Sequence, residues 1–491
     1  MKITLPVFLR ALLSVFVPAF RPTFLSVMLL FGCAQNNNVI IENVEQETSF
    51  IEQGNSKLDR RWWLSFDNDE LSQLVSQGLE DNLSLKAKEL RLKSSAINTK
   101  IASADLYPTL NLTSNVSSEF DDLGKVNSAS FGFSSSWELD LWGGIAANEN
   151  KAYWNHQEQL ALYRGRATLV AGSISNAWLG LVSEQEKKLV LADQFQRTQA
   201  ALTVITRRFA MGKISVTNIW QQQKLLKSIE VQQSKNHADL YIYQQTLALW
   251  LGIPTKALIA NDSLISPSLP SLPELPELGV PAQVLKYRPD IEQAFAKIKA
   301  ADEHLAVAIS NQYPRITLRA NYSTAKNSVR DLFDDWSGNL IAALAMPLFD
   351  SGERKSVVAQ RELELQALLF DYQQVWLAAI ASVNQVLINE TQLLKITKNL
   401  QEQLDLAERT EKLTTIKYLN GKTNYLNLLK AQESILSLER QFIEANKKVI
   451  INRVLLYREL SHGDFSTNNQ ATSPKSAYIL ENISKHKGKQ S

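Results

Sequence analysis

The chain has 491 residues, of which 45% are hydrophobic and 21% are charged, and its formal net charge at pH 7 is +2. This length allows two or three ordinary domains, and the balanced charge does not favour a nucleic-acid-binding protein. The single cysteine, Cys33, excludes an internal disulfide framework and any metal site made of several cysteines.

Residues 1–32 have the pattern of a secretory signal peptide: basic residues, a short apolar core and a small residue before the cut. The residues Leu30-Phe31-Gly32-Cys33 are similar to a bacterial lipobox, although Phe31 departs from the small residue usual there. The similarity implies that Cys33 is lipidated and that residues 33–69 form a lipid-anchored tether. An ordinary signal peptide with an incidental cysteine is the alternative. After residue 33, no run of about 18 apolar residues predicts a transmembrane helix.

Residues 70–260 hold a first set of predicted elements. A helical pattern from about Glu70 ends at Tyr107-Pro108, because proline disfavours helix in the residue before it. Apolar residues then alternate with mostly polar ones, which predicts two strands with unlike faces. These apolar residues are Leu110, Leu112 and Val116, then Phe131, Phe133, Trp137 and Leu139. A long helical pattern reaches Ala210, and after Gly212 a further helix runs to Leu251.

A proline-rich segment, residues 261–281, follows this set and is predicted to be an extended linker outside any hydrophobic core. Residues 282–463 then repeat the order of helix, two strands, long helix and helix. Strand-like alternation returns at 316–322 and at 340–348. Residues 464–491 are rich in Ser, Asn, Gln and Lys and are predicted to be a disordered tail.

The two halves share landmarks at nearly constant spacing. Tyr107-Pro108 returns as Tyr313-Pro314, 206 residues later, and Gly212-Lys213 returns as Gly421-Lys422, 209 residues later. Landmarks that recur in the same order at such similar offsets indicate a tandem duplication.

Long helices dominate the second half. The 68 residues from Glu353 to Asn420 contain neither Gly nor Pro, which predicts a rod on the order of 100 Å long. In the last helix the apolar residues keep a spacing of seven and form a stripe wider than the seam of a two-stranded coiled coil. A closed ring of helices fits this stripe, and a simple dimeric coiled coil is the alternative.

The predicted strands, at about 9–11 residues each, have the length needed to cross a bilayer at a tilt. Four strands cannot close a barrel, and an open sheet edge is not tolerated in lipid. If these strands span a membrane, several copies of the chain must therefore contribute to one barrel. A small periplasmic sheet packed on the helices is the alternative.

These motifs together resemble the TolC-type outer membrane factors, in the lipid-anchored branch that serves tripartite drug and metal efflux. The resemblance covers nearly all of the mature chain. The matching segments are Ala104-Asp105-Leu106-Tyr107-Pro108, Trp137-Glu138-Leu139-Asp140-Leu141-Trp142-Gly143, Arg288-Pro289-Asp290-Ile291, Pro347-Leu348-Phe349-Asp350 and Tyr418-x-x-Gly421.

The resemblance implies a mixed fold of α-helices and membrane β-strands. Three subunits would each give four strands to a twelve-stranded barrel (108–140 and 314–348) and two hairpins to a coiled-coil helical barrel (143–251 and 350–460). It also implies an outer membrane location in a Gram-negative bacterium, with the helices extending into the periplasm. The expected partners are outer membrane lipid, a periplasmic adaptor and an inner-membrane pump, for which a proton-driven pump is the first expectation.

The resemblance also suggests site residues. The turns at Gly212 and Gly421 become periplasmic tips that meet the adaptor, and the candidate contacts are Arg208, Gly212, Lys213, Ser215, Lys417, Gly421 and Lys422. Leu426, Lys430 and Glu433 share one helix face and are the candidates for the pore constriction. Relatives often carry an acidic residue in place of Lys430, so a lysine ring would favour anions unless Glu433 neutralises it. A simple ion pair between Lys430 and Glu433 is the alternative.

Nothing in the sequence predicts catalysis or a cofactor. The five histidines lack metal-ligand spacing, and no phosphate-binding glycine motif is present. The family resemblance implies that the chain is a passive exit duct for small molecules delivered by a pump. The exit channel of a type I protein secretion system and a structural periplasmic coiled-coil protein are the alternatives.

Overall fold

The computed structural model describes residues 50–51, 54, 61–121, 124–259, 268–278 and 281–460. The predicted signal peptide, the lipobox and the tail at 464–491 lie outside these residues. The helices are α1 (Asp69–Asp81), α2 (Leu83–Ala104), α3 (Gly144–Ala210), α4 (Val216–Leu251), α5 (Thr255–Ile259), α6 (Pro281–Leu285), α7 (Pro289–Ser310), α8 (Glu353–Leu419) and α9 (Tyr425–Leu460). The strands are β1 (Thr109–Asp121), β2 (Gly124–Leu139), β3 (Arg315–Lys326) and β4 (Ser337–Ala345).

The long helices end close to where the sequence predicts. Both α3 and α8 have 67 residues, and each is followed by a shorter helix of 36 residues. In the described part of the chain, no helix is apolar over a length that would cross a membrane.

The sequence predicts a single helix from Glu70 to Tyr107, whereas the structure has two helices there, α1 and α2. The structure breaks it at Asn82, whose N–H donates to Gly78 O at the end of α1 (3.0 Å). The Asn82 side chain accepts from Leu85 N (3.0 Å) at the start of α2 and donates to Trp250 O (2.8 Å). Asparagine caps helices well because its short side chain bonds to nearby backbone groups, so this residue ends one helix and begins the next.

Two motif aspartates begin the long helices. Asp140 accepts from Ile145 N (3.0 Å) and Ala146 N (2.8 Å) in the first turn of α3. In the second half, Asp350 accepts from Gly352 N (3.0 Å) and, at 3.4 Å, from Arg354 N. The carboxylates satisfy backbone N–H groups that have no partner within the helix. Both halves of the chain thus start their long helix in the same way.

The four strands form one antiparallel sheet in the order β1-β2-β3-β4. Their lengths are 13, 16, 12 and 9 residues, so three of them are longer than the predicted 9–11. The strands continue into mostly polar residues at their ends, beyond the apolar residues from which their lengths were predicted. Strands β1 and β4 are the two edges of this sheet.

One face of the sheet is apolar on all four strands. Leu110 lies opposite Ser135, Ser135 opposite Ala320, and Ala320 opposite Leu340. Opposite residues of an antiparallel pair share a face, so most of the remaining apolar residues fall on the same side. These are Leu112, Val116, Phe131, Phe133, Trp137, Leu139, Ile316, Leu318, Tyr322, Ala342 and Leu344. Leu110 and Leu340 are 73% and 74% exposed, whereas Phe131 packs against Trp336, so in a single chain this face is covered only in part.

The other face of the sheet is mostly polar, with Val126 and Ile341 as its larger apolar exceptions. Asn111 lies opposite Ser134, Ser134 opposite Asn321, and Asn321 opposite Asn339. The amide of Asn321 donates to Asn339 Oδ1 at 2.9 Å. The predicted period-2 pattern is thereby confirmed as a sheet with two unlike faces.

The described residues divide into two compact units. One comprises Ala96–Trp154 and Ile298–Leu369 and contains the sheet. The other contains the described residues of 44–95, 155–297 and 370–491. In this second unit Trp62 is fully buried and stacks on Tyr457, with ring centres 5.7 Å apart. Trp178 lies in the same core and donates from Nε1 to Glu70 Oε1 at 2.9 Å.

Residues 268–278, the central part of the proline-rich segment, belong to the core of the second unit, so the prediction of a linker outside any core is wrong for these residues. Leu269 and Leu272 pack against one hydrophobic cluster, and Leu275 and Leu278 belong to or pack on another. These leucines are three residues apart, which places them on one side of an extended chain with three residues per turn. The guanidinium of Arg453 also donates to Pro273 O. We call residues 268–278 the leucine-proline strap.

Candidate functional site

The turn between α3 and α4 has a defined backbone geometry. Lys213 N donates to Arg208 O (3.0 Å), and Gly212 N donates to Phe209 O (2.8 Å). Gly212 has a φ of +70°. These two hydrogen bonds around a left-handed residue form a Schellman motif, which satisfies carbonyl groups at the end of the helix.

The turn between α8 and α9 repeats this geometry. Lys422 N donates to Lys417 O (2.8 Å), Gly421 N donates to Tyr418 O (3.1 Å), and Gly421 has a φ of +69°. A Cβ atom on Gly212 or Gly421 would meet no other atom within 4 Å. The positive φ alone therefore calls for glycine at these positions, and neither glycine is required for close packing.

Each turn leads into the next helix through a capping side chain. Ser215 Oγ accepts from Thr217 N at 3.3 Å at the start of α4. Asn424 Oδ1 accepts from Asn427 N at 3.0 Å at the start of α9. Ser215, which we expected to contact a partner, thus has a structural role of its own as a helix N-cap.

Arg208 joins the two turns. Its Nη2 donates to Leu419 O at 3.4 Å, and its guanidinium carbon lies 4.8 Å from the centre of the Tyr418 ring. The Tyr418 ring lies in turn 5.7 Å from the ring of Tyr425. The Arg208 side chain of one turn therefore contacts residues of the other turn. No local sequence pattern predicts these contacts, because they join residues about 210 positions apart.

A polar group is buried beneath the joined turns. The Tyr425 hydroxyl donates to Gln222 Oε1, and Gln222 Nε2 donates to Thr198 O at 2.9 Å. Tyr425 and Gln222 are both buried. Burial raises the pKa of the Tyr425 hydroxyl, and the neighbouring Tyr418 and Glu433 raise this pKa further. The hydroxyl therefore stays protonated and remains a hydrogen-bond donor.

The remaining predicted tip residues face solvent. Gly212, Lys213, Ser215, Lys417, Gly421 and Lys422 are all exposed. Large apolar side chains, which the sequence analysis did not select, are exposed beside them. They are Phe209, Met211, Val216, Trp220 and Leu419. The two turns thus present exposed lysines among exposed apolar groups, and Trp220, at 61%, is among the most exposed of these apolar side chains.

The predicted constriction residues lie on the first turns of α9. Leu426, Lys430 and Glu433 are all exposed, and Leu426 is 44% exposed. Among the described residues, no carboxylate lies within 4.0 Å of Lys430 Nζ, so the alternative of a Lys430–Glu433 ion pair does not hold in this conformation. The charge of Lys430 is therefore not neutralised by a carboxylate in direct contact.

Two other predictions concern sites outside these turns. Cys33 lies outside the described residues, so its lipidation stays a prediction. In the described ranges, no group of three or more His, Cys, Asp or Glu side chains could hold a metal ion.

Known proteins resemble this chain over most of its length. The family described as "Outer membrane efflux protein" matches residues 74–253 and 280–461. The pyoverdine export outer membrane protein OpmQ of Pseudomonas aeruginosa is 27% identical over 425 residues, covering 82% of this chain and 87% of OpmQ. The probable outer membrane lipoprotein SilC of Salmonella typhimurium is 23% identical over 418 residues, covering 83% of this chain and 89% of SilC. The structure of the outer-membrane channel OprN superposes with a TM-score of 0.78 at 19% identity, covering 85% of this chain and 96% of OprN.

Proposed function

Because this chain belongs to the outer membrane efflux protein family, we propose that it is the outer membrane exit duct of a tripartite efflux system. It is a channel protein and not an enzyme. In the proposed system a homotrimer conducts small molecules passively, and an inner-membrane pump and a periplasmic adaptor deliver them.

The geometry of the β-sheet is the observation that best supports a trimer. Much of its apolar face is exposed, and β1 and β4 are the edge strands of the sheet in the single chain. Such edges are not tolerated in lipid, whereas edge-to-edge pairing of copies removes them. Three copies supply twelve strands, with the apolar face towards lipid and the polar face towards the pore.

The two turns are the proposed docking site for the adaptor. Lys213, Lys417 and Lys422 are exposed, and the apolar side chains of Met211 and Trp220 lie in the same part of the chain. A helical hairpin with apolar and acidic side chains would complement this surface, because unlike charges guide association and apolar contacts add affinity. Gly212 and Gly421 keep the turns tight enough for such a hairpin to approach.

Lipidation of Cys33 is part of the proposal. It is supported by the lipobox-like residues before Cys33 and by the similarity to SilC. Mass spectrometry of the mature N-terminal peptide tests it: the expected product begins at a diacylated and N-acylated Cys33. A mature N-terminus at another residue, or an unmodified Cys33, would contradict it.

Site-specific cross-linking in intact cells tests the whole assignment. A photoreactive residue replaces Lys213 or Lys422, and Lys256, which is exposed on the short helix α5, serves as the control position. We expect the turn positions to capture an adaptor together with a proton-driven pump, and the control position to capture neither. Capture of an ABC exporter would identify a protein secretion channel. Capture of cell-wall-associated proteins alone, from a chain without conductance in planar bilayers, would identify a structural protein.

A further inference from the structure

A groove of about 820 Å³ crosses four helices of the second unit. Its walls include Leu191 of α3, Asp239 of α4, Ile396 of α8, and Arg440 and Lys448 of α9. We call it the four-helix groove. None of the residues predicted for the tips or the constriction lines it.

The two sides of the four-helix groove differ in chemistry. The α8 side is apolar and consists of Leu393, Ile396 and Leu400. Ile396 is 50% exposed, so the groove contains apolar surface that the chain itself leaves uncovered. The side formed by α3, α4 and α9 carries the charged residues. A ligand that fills this groove therefore has both an apolar body and a polar end.

Four of the charges lining the groove neutralise one another. Lys187 Nζ lies 2.6 Å from Glu184 Oε1 and 2.8 Å from Glu444 Oε2, and Lys447 Nζ also lies 2.8 Å from Glu444 Oε2. Asn236 donates to the second oxygen of Glu184 at 2.8 Å. This network of two lysines and two glutamates has no net charge.

The remaining charges of the groove are mainly positive. They are the cations Lys235, Arg440 and Lys448 and the carboxylate Asp239. Among the described residues, none of these three cations has a carboxylate oxygen within 4.0 Å. Three cations against one carboxylate give the groove an excess of positive charge.

Arg440 is the most informative of these cations, because it is only partly exposed. Its Nη1 donates to Gln194 Oε1 at 2.9 Å. Burial lowers the pKa of Arg440, and the nearby Glu439 offsets only part of this effect. The Glu439 carboxylate is itself held by Arg197 (2.9 Å) and by Gln194 Nε2 (2.5 Å). A partly desolvated guanidinium without a carboxylate partner gains most from an incoming anion, since charge-assisted hydrogen bonds are the stronger ones.

The groove lies on the same face of α9 as the predicted constriction. Leu426, Lys430, Glu433, Ser437 and Arg440 follow one another at alternating steps of four and three residues. Residues at this spacing share one side of an α-helix. If Lys430 faces the pore, Arg440 and the groove do so as well, further from the turn.

We propose that the four-helix groove binds amphipathic organic anions, with the anionic group on Arg440 and the apolar body on Leu393, Ile396 and Leu400. The inference rests on the proposed function in one respect: the groove then lies along the exit route and favours cargo of this chemistry. Lys235 and Lys448 add attraction at longer range, and Gln194 holds the Arg440 guanidinium in place.

Equilibrium dialysis tests the binding site with two probes that share an apolar body. The full chain is purified in lipid nanodiscs and dialysed at neutral pH against 2-naphthoate or the uncharged 2-naphthamide. We expect the wild type to bind naphthoate at least tenfold more tightly than naphthamide. Arg440→Gln keeps a hydrogen-bonding group beside Gln194 but removes the charge, and we expect it to abolish this tenfold preference.

Two further variants make the result specific. Arg409→Gln removes the same charge from an exposed position on α8 that does not line the groove, and it is expected to keep the wild-type preference. Ile396→Ser is expected to weaken both probes, and it tests the site independently should Arg440→Gln fail to fold. Equal binding of the two probes by the wild type, or an unchanged preference in Arg440→Gln, would overturn the proposal.

Conductance of the same preparations separates the binding site from the proposed channel function. A conducting channel without naphthoate preference refutes the binding site alone, and naphthoate preference without conductance refutes the channel function.

Discussion

The guanidinium of Arg208 lies 4.8 Å from the centre of the Tyr418 ring, and these two residues belong to the turns of different halves of the chain. Arg208 also donates to Leu419 O at 3.4 Å. Through this residue, the end of α3 is attached to the end of α8. If the turns are the periplasmic end of the channel, this contact holds the two helical hairpins of one subunit together at that end.

Arg208→Gln is expected to make the periplasmic end of the channel open more often. It removes a cation–π contact of about 0.5–1 kcal/mol at an exposed site, together with the bond to Leu419 O. We expect several-fold more frequent openings in single-channel recordings. Arg207→Gln is the matched control, since Arg207 is exposed on the same helix. Equal opening frequencies in the two variants would show that the Arg208 contact does not restrain the turns.

Tyr425→Phe is expected to destabilise the helices below the turns. It removes the hydroxyl that donates to Gln222 Oε1 and leaves that buried oxygen without this donor. An unsatisfied buried polar group costs about 1–3 kcal/mol. Calorimetry of the purified protein is expected to show a lower midpoint of thermal unfolding. Tyr241→Phe, at an exposed position on α4, is expected to unfold like the wild type. An unchanged midpoint in Tyr425→Phe would mean that solvent replaces the lost donor.

Much of the fold could be predicted from local patterns. The alternation of Leu110, Leu112 and Val116 predicts a strand with one apolar face, because side chains in a strand point alternately to its two sides. Gly212 and Gly421 mark the turns because glycine readily takes a positive φ. Such features depend on residues that are neighbours in the sequence.

The features that were missed depend on distant residues. Asn82 divides the first helical region because it also bonds to Trp250 O, 168 positions away. The four-helix groove combines residues of four helices, and no local pattern predicts that Arg440 and Ile396 line the same groove. The leucine-proline strap was misjudged for another reason. Its prolines are typical of a linker, whereas the three-residue spacing of its leucines indicates one buried side of an extended chain. This spacing is visible in the sequence.

Leu278→Ala tests the strap as a core element. Leu278 is 0% exposed and packs with Leu285 and Val383 in one hydrophobic cluster. Truncating a buried leucine leaves a cavity and costs about 2–5 kcal/mol. We expect a clear fall in the midpoint of thermal unfolding, and no comparable fall for Leu249→Ala, where the side chain is exposed. Similar unfolding midpoints for the two variants would show that the strap does not stabilise the core.

Glu390→Gln tests the buried ion pair between Glu390 and Arg453, the arginine that also bonds to the strap. Arg453 Nη2 lies 2.5 Å from Glu390 Oε1, both side chains are buried, and Arg453 also donates to Pro273 O. Removing one partner leaves the other charge buried and unpaired, which costs about 3–5 kcal/mol. Replacing both residues, as in Glu390→Leu with Arg453→Met, is expected to recover much of this loss. A single variant as stable as the wild type would show that water already compensates Arg453.

Lys430→Glu tests the ion preference of the proposed constriction. In a trimer, Lys430 contributes three positive charges to a ring, and the structure shows no carboxylate partner for its Nζ among the described residues. A ring of cations favours anions in a narrow pore, and a ring of carboxylates favours cations. We therefore expect reversal potentials in a salt gradient to shift from anion towards cation preference in Lys430→Glu. Lys256→Glu makes the same charge change at an exposed position on α5 and is expected to leave the reversal potential unchanged.

An equal shift in both variants would point to the net charge of the protein as the cause, and no shift in either would show that Lys430 does not line the constriction. If Lys430→Glu reverses the preference completely, the Arg440 groove contributes little to ion selectivity; a partial reversal is expected if both sites act on ions in the pore.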